Sequence, residues 1–171
     1  MTLRIPILLF GMLALFSWPA AALAAQRVAV FDFELIDTSL DGETYGTRPE
    51  EKERLKKLSD QLRNALAKSG QFEVVDIGPV EAAAHGANLQ ACGGCDATLA
   101  QKVGAGLSIT GTVQKVSNLI LNMNIYIRDV SSQKIIASKS ADFRSNTDES
   151  WSRTLNYLIK NYVLTPNFGS N

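Results

Sequence analysis

The only two cysteines of the chain, Cys92 and Cys95, enclose two glycines. Two thiols at this spacing can form a local disulfide, exchange disulfides with other proteins, or bind a metal ion. In an oxidising compartment the disulfide is the default state. A bridge that closes so short a loop contributes only about 2 kcal/mol through chain entropy. We therefore interpret the pair as a local brace for the start of the helix that follows it.

Redox chemistry and metal binding are the two alternatives for this pair. A helix that begins at the motif lowers a thiol pKa through its dipole and its free N–H groups, which favours redox chemistry. A thioredoxin-type motif directly follows a strand, however, whereas a Gly- and Ala-rich segment comes first here. A metal site would take its four ligands from His85, Cys92, Cys95 and Asp96. Either alternative describes a thiol-redox or metal-handling protein.

Other motifs of enzymatic chemistry are missing from the sequence. The chain has a single histidine, His85, and neither a Gly-x-Ser-x-Gly elbow nor a phosphate-binding loop. Asp32 and Glu34 project to the same side of one predicted strand, where such a pair usually serves as a surface or capping group. We therefore expect no catalytic residue, no cofactor and no enzymatic activity.

The longest strand-like segment of the chain runs from residue 107 to residue 144. Apolar and polar residues alternate there in three runs with short connections, which predicts a three-stranded antiparallel meander. One face is apolar and must be covered. We hypothesise that the polar face binds another protein through Thr110, Thr112, Asn122, Asn124, Tyr126, Arg128, Ser140 and Arg144. The alternatives are a plain solvated face and a face covered by a helix of the same chain.

The segments around the meander predict the rest of an α/β fold. Residues 27–35 predict a buried strand, residues 47–70 a capped amphipathic helix and residues 72–76 a second strand, an order that favours a parallel crossover. Asp96 can cap a short helix before the meander, and the apolar stripe that begins at Trp151 predicts a last helix. The fold class is therefore α/β (α+β): a mixed sheet with a βαβ unit, a helix, the antiparallel meander and a C-terminal helix.

The acidic segment from Asp37 to Thr47 has no apolar period. We predict a loop that leaves the carboxyl end of the first strand, where open α/β sheets place their ligands. Its spacing does not match a calcium-binding loop, so a solvated loop is the favoured interpretation. The segment is the second candidate for a contact surface.

The amino end has the pattern of a secretory signal peptide. A basic residue, Arg4, precedes an apolar run at residues 5–18, and Ala22-Leu23-Ala24 forms a cleavage site. The 171 residues are 46% hydrophobic and 20% charged, which is typical of one globular domain. We predict a signal peptide at residues 1–24, a single α/β domain at residues 25–164 and a flexible tail at residues 165–171.

Charge and cysteine placement limit the partners of the exported protein. Cleavage after Ala24 removes Arg4 from 17 basic and 17 acidic residues, which leaves 16 against 17 and a net charge of −1. Nucleic acids and anionic membranes bind positively charged protein surfaces, and this net charge is slightly negative, so neither is an expected partner. No cysteine lies near the cleavage site, so we expect no lipid anchor. The expected location is the periplasm, and the sequence specifies no oligomeric state.

Three stretches, at residues 28–33, 70–76 and 103–130, resemble a group of envelope domains. The group includes the periplasmic domain of the curli secretion channel, the amino-terminal domain of the Tol-system propeller protein and the outer-membrane activator of penicillin-binding proteins. The Cys-Gly-Gly-Cys-Asp segment, Lys115-Val116-Ser117 and residues 146–151 are also similar to a family of small secreted Gram-negative proteins of unknown function. The resemblance implies an α/β fold and a non-enzymatic binding or assembly accessory in the periplasm. The chain lacks the lipid-anchor cysteine and the propeller, so membrane tethering and pore formation are not implied.

Overall fold

The computed structural model describes residues 25–165. The predicted signal peptide and the tail from residue 166 onward lie outside this range. The described residues form six strands: β1 (Gln26–Val30), β2 (Glu34–Asp37), β3 (Phe72–Val74), β4 (Leu107–Lys115), β5 (Leu121–Asp129) and β6 (Ile135–Phe143). The helices are α1 (Leu40–Tyr45), α2 (Pro49–Ser69), α3 (Gly78–His85), α4 (Cys95–Lys102) and α5 (Asp148–Leu158), which continues into a π-helical turn at Ile159–Val163.

The strands form one mixed sheet. Its order is β3-β1-β4-β5-β6, and β2 pairs with β4 next to β1. β1 is parallel to β3 and to β4, whereas β5 is antiparallel to both of its neighbours, β4 and β6. The predicted fold class is confirmed: a βαβ unit is followed by a helix, a three-stranded meander and a C-terminal helix. Among the described residues, no helix has the length and apolar content that crossing a lipid bilayer requires.

The predicted first strand is interrupted at residues 31–33. Val30 pairs with Ile109, whereas Glu34 pairs with Thr112, so one extra residue is accommodated in the interruption. The backbone N–H of Phe33 donates to the Ser59 hydroxyl of α2 at 3.0 Å. The Phe33 ring lies where a side chain at position 111 would be, which glycine leaves free. These contacts fix the interruption that separates β1 from β2.

The sheet has a hydrophobic core on each face. The larger core packs α2 and α5 against the sheet and includes Val30, Leu62, Ile125 and Trp151. The smaller core packs α3 and α4 near β1. Because α3 and α4 lie toward the β1 side, the outer strands β5 and β6 have helical cover on one face, from α5. The burial of both faces of β1 explains its continuous apolar sequence.

The acidic segment predicted to be a loop contains α1, so that prediction was wrong. The Ser39 hydroxyl accepts from the N–H of Gly42 at 3.0 Å and caps the helix, and Asp37 accepts from the Ser39 hydroxyl at 2.6 Å. A helix of six residues is too short to show a repeating apolar pattern. Only the capping residues Asp37 and Ser39 could therefore have indicated this helix in the sequence.

Two further details differ from the predictions. Asp96 does not cap α4: Gly94 is the cap residue, and Asp96 lies buried inside the first turn. In β6 a register shift near Ile127 places Ile136 against the larger core and leaves Ile135 exposed, whereas strict alternation predicts the reverse.

Candidate functional site

The polar face of the meander is assembled as the alternation predicts. In the sheet, Thr110 pairs with Tyr126, and Thr112 pairs with Asn124, which in turn pairs with Ser140. Because paired residues project to the same side of a sheet, these side chains share one face. The residues of this face on the two outer strands, which we call the open face, are Asn122, Asn124, Tyr126, Ser138, Ser140 and Asp142.

Thr110 and Thr112 are corrections to the predicted contact surface. Their exposed fractions are 4% and 2%, so neither side chain can contact a partner. The reason is their position on β4, which has strands on both sides and α4 packed against it. The Thr112 hydroxyl is used inside the sheet, where it accepts from the amide of Asn124 at 3.3 Å.

The other predicted contact residues on β5 and near the end of β6 are more accessible. Asn122, Asn124 and Tyr126 are half-buried, whereas Ser140 and Arg144 are exposed, with Arg144 just beyond the end of β6. The Asn122 amide donates to Ser140 at 2.8 Å and to Asp142 at 2.7 Å, which orders the surface side chains across two strands.

Arg128 is held by an internal ion pair. Its Nε donates to Asp96 at 3.0 Å and its Nη1 to the carbonyl of Gln133 at 2.8 Å. The Ser108 hydroxyl also donates to Asp96. Arg128 therefore ties β5 to α4 through two of its donor groups, Nε and Nη1. This residue was predicted as part of the contact surface, but its contacts are those of a structural brace.

The disulfide between Cys92 and Cys95 lies at the start of α4. The N–H of Cys95 approaches Cys92 Sγ at 3.2 Å, and Cys92 is exposed. The alternative metal site of His85, Cys92, Cys95 and Asp96 is not assembled, because the two sulfurs are bonded to each other and Asp96 pairs with Arg128. Within residues 25–165, the convergent set of metal-ligating side chains is a different one: Asp32, Glu81 and His85.

These three residues lie at a cavity of about 450 Å³ between α2 and α3. The cavity opens where β1 ends, which is the usual ligand position in open α/β sheets. Its lining includes six charged side chains besides His85: Asp32, Glu34, Lys52, Lys56, Arg63 and Glu81. Glu81 and His85 are four residues apart on α3 and therefore share one helix face.

Asp32 is the best-anchored carboxylate of the cavity. Arg63 Nη2 donates to Asp32 Oδ1 at 2.6 Å and to the carbonyl of Val30 at 2.9 Å, while His85 Nε2 lies 2.9 Å from Asp32 Oδ2. Burial raises the pKa of Asp32. The hydrogen bonds with His85 and Arg63 lower this pKa by a larger amount, so the net shift is downward. For Glu34, burial outweighs a hydrogen bond from the backbone of Leu89, and its pKa is raised.

A second charged cluster surrounds Lys115, the last residue of β4. The exposed fraction of Lys115 is 0%, and the Lys115 ammonium donates to Glu51 at 2.7 Å, to Asp37 at 3.1 Å and to Asp41 at 3.3 Å. Asn146 donates to the same Glu51 oxygen at 2.8 Å. The three ammonium hydrogens thus match three acceptors, and the cluster has no donor left for a ligand.

The Lys115 cluster changes the interpretation of the acidic segment, the second candidate surface. Asp37 and Asp41 are bound to Lys115 instead of being free for a partner. Sequence reasoning missed this cluster, although alternation carries the signal: Val113 and Lys115 have the same parity on β4, and Val113 is a core residue. A lysine on an apolar face needs buried carboxylates.

Comparison with known proteins identifies a family and a fold. The model of family DUF3280, described as a protein of unknown function (DUF2380), matches residues 26–163. No curated protein matches the chain. Among solved structures, the LpoB C-terminal domain from Salmonella enterica is 18% identical, covers 73% of this chain and 87% of its own, and has a TM-score of 0.52.

Two other structures share the fold. Lipoprotein GNA1162 from Neisseria meningitidis is 16% identical over 79% of this chain and 93% of its own, with a TM-score of 0.51. Hypothetical protein CT253 from Chlamydia trachomatis is 13% identical over 86% of this chain and 99% of its own, with a TM-score of 0.52. The resemblance inferred from the sequence, to the activator domain and to a family of unknown function, is confirmed.

Proposed function

The chain belongs to the DUF3280 family of proteins of unknown function, and we propose that it is a non-enzymatic binding or assembly accessory of the cell envelope. The proposal includes export by the signal peptide at residues 1–24 and release of a single periplasmic domain at residues 25–164. The fold it shares with LpoB and with lipoprotein GNA1162 supports an envelope role.

The open face is the observation that carries this proposal. The apolar side of β5 and β6 packs on α5, while helices α3 and α4 lie toward β1 and leave the polar side of these two strands accessible. A sheet face is rigid, and tyrosine with short polar residues is typical of adaptable protein-binding surfaces. The open face can therefore bind a partner without ordering a loop.

Exposed apolar residues adjoin one end of the open face. The turn between β4 and β5 exposes Val116, Leu119 and Ile120 by 50% or more each. Gln114 and Asn122, the paired residues next to this turn, connect it to the open face. A polar surface with a neighbouring apolar group is the usual composition of a protein–protein contact.

Site-specific photocrosslinking in living cells tests the proposal. A crosslinking amino acid at Ser140 should yield a discrete adduct with an envelope protein, identified by mass spectrometry. The matched control is Glu53, which is exposed on α2. Asn124→Arg, combined with the crosslinker at Ser140, should abolish the Ser140 adduct, because the arginine adds bulk and charge at the centre of the open face. Adducts at Glu53 of equal yield, or persistence of the adduct in Asn124→Arg, would contradict the proposal.

A thiol-redox function is the second candidate. Its supporting observation is an exposed Cys92 sulfur that accepts the N–H of Cys95 at the start of α4, a contact that stabilises a thiolate. Redox titration distinguishes a structural disulfide from a redox-active one. A structural brace should have a potential below about −300 mV, whereas oxidoreductases fall in the range of roughly −270 to −120 mV. Cys92→Ser with Cys95→Ser should leave the Ser140 adduct intact if the pair is only a brace.

A further inference from the structure

We propose that Asp32, Glu81 and His85 form a binding site for one divalent transition-metal ion, with Zn²⁺ as the reference ion. The proposal concerns the cavity between α2 and α3 and is independent of the open face. It also differs from the ligand set that the cysteine motif suggested, because no sulfur takes part.

The three side chains already converge. One ligand atom from each lies within 4.8 Å of the other two, and His85 Nε2 is 2.9 Å from Asp32 Oδ2. A tetrahedral zinc ion with bonds of about 2.0–2.1 Å separates its ligand atoms by roughly 3.3 Å. Glu81 and His85 are exposed, so their side chains can rotate to close the remaining gap without disturbing the core.

The scaffold orients the ligands as metal sites require. Arg63 holds Asp32 through Oδ1 and is itself fixed by the Val30 carbonyl, which leaves Oδ2 directed toward His85. Such outer contacts fix a ligating carboxylate in place. When the ion binds, His85 Nε2 supplies its lone pair to the ion, and the neutral imidazole then carries its proton on Nδ1.

The donor set selects the class of ion. One imidazole nitrogen and two carboxylate oxygens suit Zn²⁺, Mn²⁺ or Fe²⁺, whereas Ca²⁺ and Mg²⁺ prefer oxygen donors alone. Three protein ligands leave at least one coordination position that faces the cavity. This arrangement is typical of sites that exchange a water or a small ligand, and it differs from the closed four-ligand sites that only stabilise a fold.

Positive side chains near the ligands oppose the charge of the ion, and Arg63 is already bonded to Asp32. Lys52 and Lys56 line the same space, and Lys56 already pairs with Asp60 at 3.0 Å. The positive charge of Lys52 opposes a cation, so its removal should strengthen binding. The same charge favours an anion, such as a carboxylate, as the additional ligand on the ion.

Calorimetric titration of tag-free protein with Zn²⁺ is the test. We expect one ion per chain, with affinity reduced at least about tenfold by His85→Ala and by Glu81→Gln. Glu53→Gln is the matched control for the loss of an exposed carboxylate and should leave the affinity unchanged. Lys52→Gln should bind Zn²⁺ more tightly than the parent. X-ray absorption should show a first shell of one imidazole nitrogen with oxygens and no sulfur.

Three results would overturn the proposal. The first is the absence of saturable binding, and the second is binding that His85→Ala leaves unchanged. The third is a sulfur atom in the first shell, which would move the ion to the cysteine pair. Circular dichroism of each variant verifies the fold; because Glu81 and His85 are exposed, their replacement should leave it intact. None of these results bears on the Ser140 crosslink, so the two proposals fail separately.

Discussion

The two charged clusters of the molecule use similar residues for different purposes. Around Lys115, one ammonium meets three carboxylates, and the exposed fractions are 0% for Lys115 and 1% for Glu51, whereas Asp41 at the rim is 22% exposed. Around Asp32, one guanidinium and one imidazole meet a half-buried carboxylate at the wall of a cavity. The first cluster is saturated, whereas the second has ligand atoms that face open space. Unused bonding capacity, more than density of charge, distinguishes a candidate site from a brace.

Removal of Lys115 should give the largest effect on stability. Lys115→Met leaves Glu51 and Asp37 without their cation, whereas Asp41 keeps its pair with Arg48, and breaking a buried ion pair costs about 3–5 kcal/mol of unfolding free energy. Urea denaturation measures this loss. The control is Lys56→Met, which removes an exposed pair with Asp60 and should cost about 0.5 kcal/mol or less. Equal losses in the two variants would show that the Lys115 cluster is not a brace.

Acid should weaken the fold through the same cluster. Burial raises the pKa of Asp37 and of Glu51, but their hydrogen bonds, including those from Lys115, lower both values overall. A carboxyl group whose folded-state pKa is lowered stabilises the fold above its unfolded-state pKa, and this stability is lost as pH falls through the folded-state pKa. Unfolding free energy should therefore decline below about pH 4, near the ordinary carboxyl values.

At alkaline pH the unfolding free energy should fall as pH rises, the opposite of its dependence in acid. Burial lowers the pKa of Lys115, but its carboxylate partners raise it overall. Its stabilising contribution is complete below the ordinary lysine value of about 10.4 and is lost as pH rises through the folded-state pKa. In Lys115→Met both limbs should flatten. An unchanged pH profile in that variant would assign the titration to other groups.

The Asp32 cluster should tolerate substitution better. Asp32→Asn keeps the size of the side chain and an oxygen for Arg63 but loses the charge, and we expect a loss of only about 1 kcal/mol because the group is half-exposed. Zn²⁺ affinity should fall by about tenfold or more in the same variant. Urea denaturation and calorimetry on one preparation measure both. A stability loss as large as that of Lys115→Met would reverse the distinction between the two clusters.

The elements with a strong period were predictable from the sequence. Helix α2, the meander and α5 each repeat an apolar residue at the spacing of their secondary structure, and all three are present. The interruption at residues 31–33 was not predictable, because the apolar run continues through it. Only Ser59 and Gly111, distant in sequence, show why the strand leaves the sheet there. Helix α1 depended on capping contacts and had no period to detect.

The candidate sites were predictable to a smaller extent. Alternation placed Asn122, Asn124 and Tyr126 on one face, but it could not show that α4 and neighbouring strands bury Thr110 and Thr112. The cavity was missed because its ligands come from the interruption after β1 and from α3, which are far apart in the chain. The spacing of four residues between Glu81 and His85 predicts that both side chains lie on one helix face. This pair indicates a metal site only once Asp32 is known to lie beside it.

The position of β1 has a consequence for how the chain acquires its structure. β1 is synthesised before its two neighbours in the sheet, β3 and β4, and pairs with both in parallel. The hairpins of the meander join residues close in sequence and can therefore form earlier and faster. The meander then serves as a template, and the Phe33 ring over Gly111 admits the first strand in one register. Until β4 is available, the apolar first strand lacks one of its two partners, and an unpaired apolar strand is prone to aggregation.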